Sequence, residues 1–202
     1  MSYFSCPSIL EAGYFLLPVR KIPMYTKNSH CSFCGSRFSG GAPWPRRCPA
    51  CGNRSYLNPI PVVVVLVPVG AGVVVVRRNI EPQRGTLTLP GGYIDLGETW
   101  QEGAQRELLE ETGIRIESSG IRLYDVQNGL DNTLVVFGLA PRQPLDVLRP
   151  FSSEETQEVV LIDRPITLGF SMHTRIVERY FNQKRQLTTD KADLFTEKAF
   201  TQ

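Results

Sequence analysis

Glu107, Glu110 and Glu111 stand three and four residues apart, and on a helix that spacing places all three carboxylates on one face. Like charges so spaced destabilise a helix, so a divalent cation that offsets their repulsion is the chemistry they suggest. Hard oxygen ligands suit Mg²⁺ or Mn²⁺, which keep several waters and complete their shell with phosphate oxygens. Arg106 lies beside Glu107 and four residues before Glu110, where its guanidinium can fix a carboxylate by a forked hydrogen bond. The plainer alternative is a solvated, Glu-rich helix face. A second set of groups is Cys31-x₂-Cys34-Gly35 and Cys48-x₂-Cys51-Gly52, two close pairs whose spacing matches a tetrahedral structural Zn²⁺ site of four thiolates. Two disulfides or four free thiols are the alternatives. Cys6 is unpaired and has no assigned role, and His30 is read as a bystander because four cysteines already close the site.

The elements that must position these groups follow from the pattern around them. Residues 98–112 read as a helix, with Thr99 or Gly97 near its start, Glu98 and Glu102 in the first turn and Gly113 as the C-terminal glycine. Ala104 and Leu108 give that helix an apolar stripe, with Leu109 beside them. Before it, the β-branched runs 62–69 and 73–78, separated by Gly70-Ala71-Gly72, predict a hairpin in a buried sheet. Residues 86–89 predict a short strand ending at Pro90-Gly91-Gly92, and residues 121–126, 134–140 and 159–162 predict further strands. Residues 171–183 read as a helix in which Met172, Ile176 and Tyr180 share one face, as do Val177 and Phe181, and His173 is read as helix packing. The organisation expected is an N-terminal extension over 1–25, a zinc ribbon over 26–57, a catalytic domain over 58–183 and a polar tail, frayed or helical, over 184–202.

Residues 26–57 are rich in Cys, Gly, Pro and Ser and poor in aliphatics, so they need a staple other than a hydrophobic core. The whole chain has an ordinary globular balance, 42% hydrophobic and 21% charged over 202 residues, which excludes wholesale disorder. A net charge of +2 argues against a general polyanion binder. Its basic residues are mostly Arg, seventeen against five Lys, which suits fixed phosphate or carboxylate contacts. No apolar run reaches the length of a membrane span, and residues 9–19 do not read as a secretory signal. With metal-type cysteine spacing, this predicts a cytoplasmic protein without a membrane partner.

The stretch G92-YIDLG-E98-TWQEGAQ-R106-E107-LL-E110-E111-T-G113-I114 matches chance at a rate on the order of 10⁻⁷ for a chain this long. It resembles the box of the Nudix hydrolases, with no departure at a defining position. The resemblance extends over about residues 58–182 and implies an α+β fold, a Nudix α/β/α sandwich around a mixed sheet, preceded here by the small zinc ribbon. It implies metal-dependent hydrolysis of a nucleoside diphosphate linked to another group. Glu107, Glu110 and Glu111 are the implied ligand and base candidates, the backbone around Gly91-Gly92 (Gly92 being the residue named) an implied carbonyl ligand, Arg106 the group that orients Glu107, and Glu98 and Gly113 supports of the box. An extra base is sought among Glu154, Glu155 and Glu158 before a late strand, with Glu155 preferred. A ribbon before such a box is similar to the NADH and FAD pyrophosphatase group. The Ser-Gln-Pro-Trp-Pro-Phe-Pro stretch of the NADH enzymes is absent from residues 123–131, and residues 78–93 and 168–171 look closer to the FAD branch. The Pro that often marks ADP-ribose enzymes is absent too, although many Nudix enzymes accept ADP-ribose. Tyr93, Tyr124 and Phe137 are the base-stacking candidates. A homodimer follows by analogy. Capped-RNA 5′ ends, with Arg37, Phe38, Trp44, Arg46, Arg47 and Arg54 of the ribbon as the RNA contact, and a non-catalytic nucleotide sensor are the alternatives; packing against the partner domain is the preferred role for Phe38 and Trp44.

Overall fold

The Val-rich run that opens the catalytic region forms two strands in different sheets. In the computed structural model, residues 26–199 are described, with side chains to residue 186; the extension over 1–25, including Cys6, lies outside them. The chain divides between Leu57 and Asn58 into two units. In the first, β1 (Arg46–Arg47) and β2 (Arg54–Ser55) pair antiparallel beside the cysteines. In the second, β3 (Ile60–Leu66) is followed by β4 (Pro68–Val69), β5 (Gly72–Arg78), β6 (Leu87–Thr88) and β7 (Gly91–Tyr93). Helix α1 (Trp100–Thr112), β8 (Arg122–Asn128), β9 (Thr133–Leu139), β10 (Thr156–Ile162) and helix α2 (Ser171–Ala199) complete it.

One sheet has the order β7-β3-β9-β8, with β3 parallel to β9 and antiparallel to β7. The other has the order β10-β5-β4, with β6 also paired to β5. The predicted hairpin is therefore confined to β4 and β5. Pro68 has no N–H to continue the β3 ladder, and the chain changes sheet there. The strand expected over 86–89 ends at Pro90 as read, but Gly91–Tyr93 form a further short strand, β7, which two glycines with no strand preference of their own do not announce.

β3 is buried on both faces, which is why its sequence is an unbroken valine run instead of an alternation. Val63, Val65 and Val67 pack with Ala104 and Leu108 of α1, whereas Val64 and Leu66 pack with Ile176, Val177, Tyr180 and Phe181 of α2. The result is the Nudix α/β/α arrangement around mixed strands. α1 begins at a capping box: Thr99 accepts from the Glu102 N–H at 3.2 Å, and the Glu102 carboxylate accepts from the Thr99 N–H at 2.8 Å. It ends at Gly113, whose φ of 72° suits glycine. A Cβ at Gly113 would also stand 2.8 Å from the Phe151 ring. α2 runs past Gln183 through the segment expected as a tail, with no Pro or Gly to stop it.

His173 joins α2 to the strands. Its Nδ1 accepts from the Leu89 N–H at 3.2 Å, and its ring meets those of Phe137 and Phe170 at 5.9 and 5.1 Å. Burial, with the nearby charge of Arg78, pulls its pKa down to about 3. The folded chain therefore holds it neutral, and this stabilisation is complete above the unfolded value of about 6.5 and is lost as pH falls towards 3. Between pH 7 and pH 5 the loss is on the order of 2 kcal/mol. Urea unfolding at the two pH values should show a smaller difference in His173→Gln than in the parent chain; equal differences would remove His173 as the cause.

Candidate active site

The carboxylate helix and the glycine edge strand meet at one cleft. Burial on α1 falls on residues 103, 104, 107, 108, 111 and 112, so the core stripe of Ala104 and Leu108 is flanked by Glu107 and Glu111. Both carboxylates are buried, 8% and 4% exposed, and Glu110 stands at the exposed rim. The cleft measures about 540 Å³ and is lined by these three glutamates, Arg78, Tyr93, Asp95, Arg106, Glu154 and Glu155, with Gly91 and Gly92.

Arg106 organises the acids. Its Nε and Nη2 donate to the two oxygens of Glu98 at 2.7 and 3.0 Å, which is the forked bond, and Nη1 donates to Glu107 at 2.7 Å and Glu110 at 3.2 Å. Nη2 also donates to the Tyr93 carbonyl at 2.9 Å, tying the helix to β7. The Arg106 guanidinium holds the Glu98 pKa down at about 2. Glu107 and Glu111 behave oppositely. Burial raises the proton affinity of both, and Glu111, which accepts from the Gly91 N–H at 2.8 Å, is pushed up to about 8.

Gly92 is the seat of Glu107, because a Cβ there would run into the Glu107 carboxylate. Gly91 has φ of 153°, and a Cβ there would stand 2.7 Å from the Val64 Cα. Along β7 the Gly91 N–H and Tyr93 carbonyl bond on the side away from β3, while Gly92 pairs with Val63. Strand alternation therefore puts the Gly91 carbonyl on the open edge and that of Gly92 towards β3.

The loop before β10 brings Glu154 and Glu155 to the cleft, anchored by Asn79, whose backbone N–H donates to the Glu155 carbonyl and whose side chain donates to that of Glu154. Glu158 is elsewhere, paired with Arg77 at 2.7 Å. Of the stacking candidates, Tyr93 lines the cleft and is 61% exposed. Phe137 is fully buried in the core, and Tyr124 donates to Gln183 beside a different hollow. Arg78 and Asp95 had no assigned role. The signal for Arg78 was a cation at the end of a run of four valines.

The carboxylate set fits a divalent cation. Glu107 Oε2 and Glu111 Oε1 have no protein donor among the described residues, and the cleft lining carries six carboxylates against two guanidinium groups. Buried and adjacent, the glutamates resist ionisation unless positive charge reaches them.

In the other unit, Cys31, Cys34, Cys48 and Cys51 bring their sulfurs within 4.8 Å of one another. This is the one group of three or more His, Cys, Asp or Glu ligand atoms so close among the described residues. The two knuckles repeat one geometry: Gly35 N–H donates to the Cys31 carbonyl and Gly52 N–H to that of Cys48, at 3.0 and 2.9 Å.

The NUDIX domain family model matches residues 58–166, more than half of the chain, and the chain belongs to this family. A crystal structure of a NUDIX hydrolase from Nitrosomonas europaea is 32% identical, with a TM-score of 0.64, covering 78% of this chain and 93% of that one. The NUDIX domain of Shewanella oneidensis NrtR, solved with ADP ribose, shares the fold at 16% identity and a TM-score of 0.51, over 63% of this chain and 90% of that one. The NAD-capped RNA hydrolase NudC of Shigella dysenteriae is 26% identical over 113 residues, 54% of this chain and 44% of the relative. The chain thus spans less than half the length of the curated relatives it matches. No helix among the described residues is long and apolar enough to cross a membrane.

Proposed function

We propose that this chain is a divalent-cation-dependent diphosphatase that cleaves a dinucleotide or nucleoside diphosphate derivative of the FAD, NADH or ADP-ribose class. The observation that supports it most is the pair of buried carboxylates, Glu107 and Glu111, open to a nucleotide-sized cleft against the glycine edge of β7. Glu107, Glu110, Glu111 and the Gly91 carbonyl would hold Mg²⁺ or Mn²⁺. A bound cation supplies neutralisation of the diphosphate oxygens and a lower pKa for an attacking water. Arg106 holds Glu107 in place, its guanidinium oriented by the fork to Glu98. Glu155 takes the proton of the water, the new phosphorus–oxygen bond forms, and the bond to the bridging oxygen breaks. The products are a nucleoside monophosphate and a second phosphorylated fragment. Tyr93 offers its ring to a base.

The cysteine unit is proposed as a zinc ribbon. Sulfurs at the corners of a tetrahedron with Zn–S of about 2.3 Å are about 3.8 Å apart, and Cys31–Cys51 and Cys34–Cys48 stand at 3.7 and 3.6 Å. Hydrolysis of NAD-capped RNA is the second reading, favoured by the names of the curated relatives.

Mass spectrometry of reactions with FAD, NADH, ADP-ribose and NAD-capped RNA, each with Mg²⁺ or Mn²⁺, tests the reading. A nucleoside monophosphate should appear with at least one substrate and vanish with EDTA; metal-independent turnover, or none with any substrate, ends it. Gly92→Ala should turn the Glu107 carboxylate away and lower kcat by about 10²-fold, the scale expected of a small misplacement. Full activity in that variant would show that the seat under Glu107 is dispensable.

A further inference from the structure

We infer that the cysteine unit is a binding surface for single-stranded nucleic acid, holding phosphates on Arg47 and Arg54 and stacking bases on Phe33 and Tyr56. The inference does not rest on the diphosphatase reading. Charge is its first support. Residues 26–57 carry five Lys and Arg and no Asp or Glu, whereas residues 58–202 carry fifteen against nineteen. The chain's small net charge conceals this division. Even a zinc–tetrathiolate centre, itself dianionic, leaves the unit at about +3.

The placement of those charges is the second support. β1 and β2 put Arg47 directly opposite Arg54 on the exposed face of the ladder, while Arg46 and the buried Ser55, also opposite each other, turn to the other face. Like charges facing each other across a two-stranded ladder are destabilising, and no carboxylate in residues 26–57 relieves them. A row of phosphates does. Arg46 is occupied on the other face: its guanidinium stands 4.5 Å from the Trp44 ring centre, and Nε donates to the Ala42 carbonyl at 2.7 Å. Beside it Lys27, Arg37 and Trp44 line a hollow of about 460 Å³.

Exposed aromatic rings are the third. Phe33 and Tyr56 are 63% and 64% exposed, an unusual cost for a unit whose own buried core is Cys31, Phe38 and Cys48. Their neighbours Ser32 and Ser55 share a hydrogen bond at 3.0 Å, which holds together the two segments that carry the rings. Cations along a backbone track with aromatic faces between them take single strands, whose bases are free to stack. A duplex hides its bases, and an anionic lipid surface gives the rings no stacking partner.

The test uses the full zinc-loaded chain carrying Glu107→Gln, so that strands are not consumed, and a fluorescein-labelled unstructured 15-nucleotide RNA read by anisotropy. Affinity should fall with salt at a log–log slope of about −1.4 or steeper, as for two or more single-strand phosphate contacts. Arg47→Gln/Arg54→Gln should weaken binding about 10-fold or more at 100 mM salt and flatten that slope by about 1.4. Phe33→Ala/Tyr56→Ala should weaken it about 10-fold and leave the slope unchanged. Zinc content should stay at one per chain in both. Undiminished binding in either double variant overturns the inference, as does a preference for duplex RNA or phosphatidylserine vesicles over the single strand. Dinucleotide turnover, measured without Glu107→Gln, decides the catalytic reading separately.

Discussion

Replacing Glu111 with Gln is expected to lower kcat for the preferred dinucleotide by about 10³-fold and, in the absence of metal, to make the folded chain more resistant to urea. The two effects have one cause. The carboxylate is buried against β7, accepts a single protein hydrogen bond, from Gly91, and faces Glu107 one helical turn away. Its pKa of about 8 records the cost of ionising it there. A folded-state value above the unfolded one means that the group costs stability once pH rises past about 4.3, increasingly up to 8. The amide keeps the shape and the Gly91 bond and removes that cost. It also removes the charge that would hold a cation against the diphosphate, and general-base and metal contributions of this kind are worth about 10² to 10⁴ in rate. Glu107→Gln should lose turnover on a similar scale with a smaller gain in stability, because pairing with Arg106 offsets part of the burial cost of Glu107. kcat with Mg²⁺ and urea midpoints with EDTA at pH 7.5 separate the outcomes. A rate unchanged in either variant removes the carboxylate pair from the chemistry. A destabilised Glu111→Gln would show that its burial is not the cost described.

What the sequence made legible here is what local spacing encodes. The glutamates three and four apart, the Thr99–Glu102 cap and the C-terminal Gly113 are all decided within one helix, and the helix starts and stops at them. Long-range pairing was less visible. Gly91 and Gly92 have no strand preference, and only the register against Val63 and Val64 makes them β7. Pro68 was visible, but the sheet that Val67 leaves and the one that Val69 joins depend on partners up to 73 residues away. Glu154, Glu155 and Glu158 are equivalent as letters. The strand pairing decides among them, because Glu158 lies opposite Arg77 in β10 while the preceding loop is pinned at Asn79 beside the cleft. Phe137 shows the converse: an aromatic in a strand offers a stacking face only if its side of the sheet is open, and α2 covers that side.

Cys48→Ser is expected to abolish zinc binding and unfold residues 26–57 while residues 58–199 stay folded. The buried core of this unit consists of Cys31, Phe38 and Cys48, with Trp44 packed on it, and β1 and β2 contribute two residues each. So few apolar contacts cannot offset the conformational entropy of some thirty residues, which costs about 1–2 kcal/mol each in the backbone alone. A structural zinc supplies about 10–16 kcal/mol at neutral pH and closes the loop between the knuckles as well. Without it the like-charged Arg47 and Arg54 also face each other with nothing to hold β1 to β2. Metal analysis of the parent chain should give one zinc, and of Cys48→Ser none. Hydrogen exchange should then show full protection lost for the Gly35 and Gly52 amides, which close the two knuckles, and retained for β3 and α1. The Trp44 contribution to fluorescence should move to that of a solvated indole, with Trp100 as the internal reference. One zinc retained in Cys48→Ser, or protected knuckle amides after chelation, would show that the unit folds on some other staple.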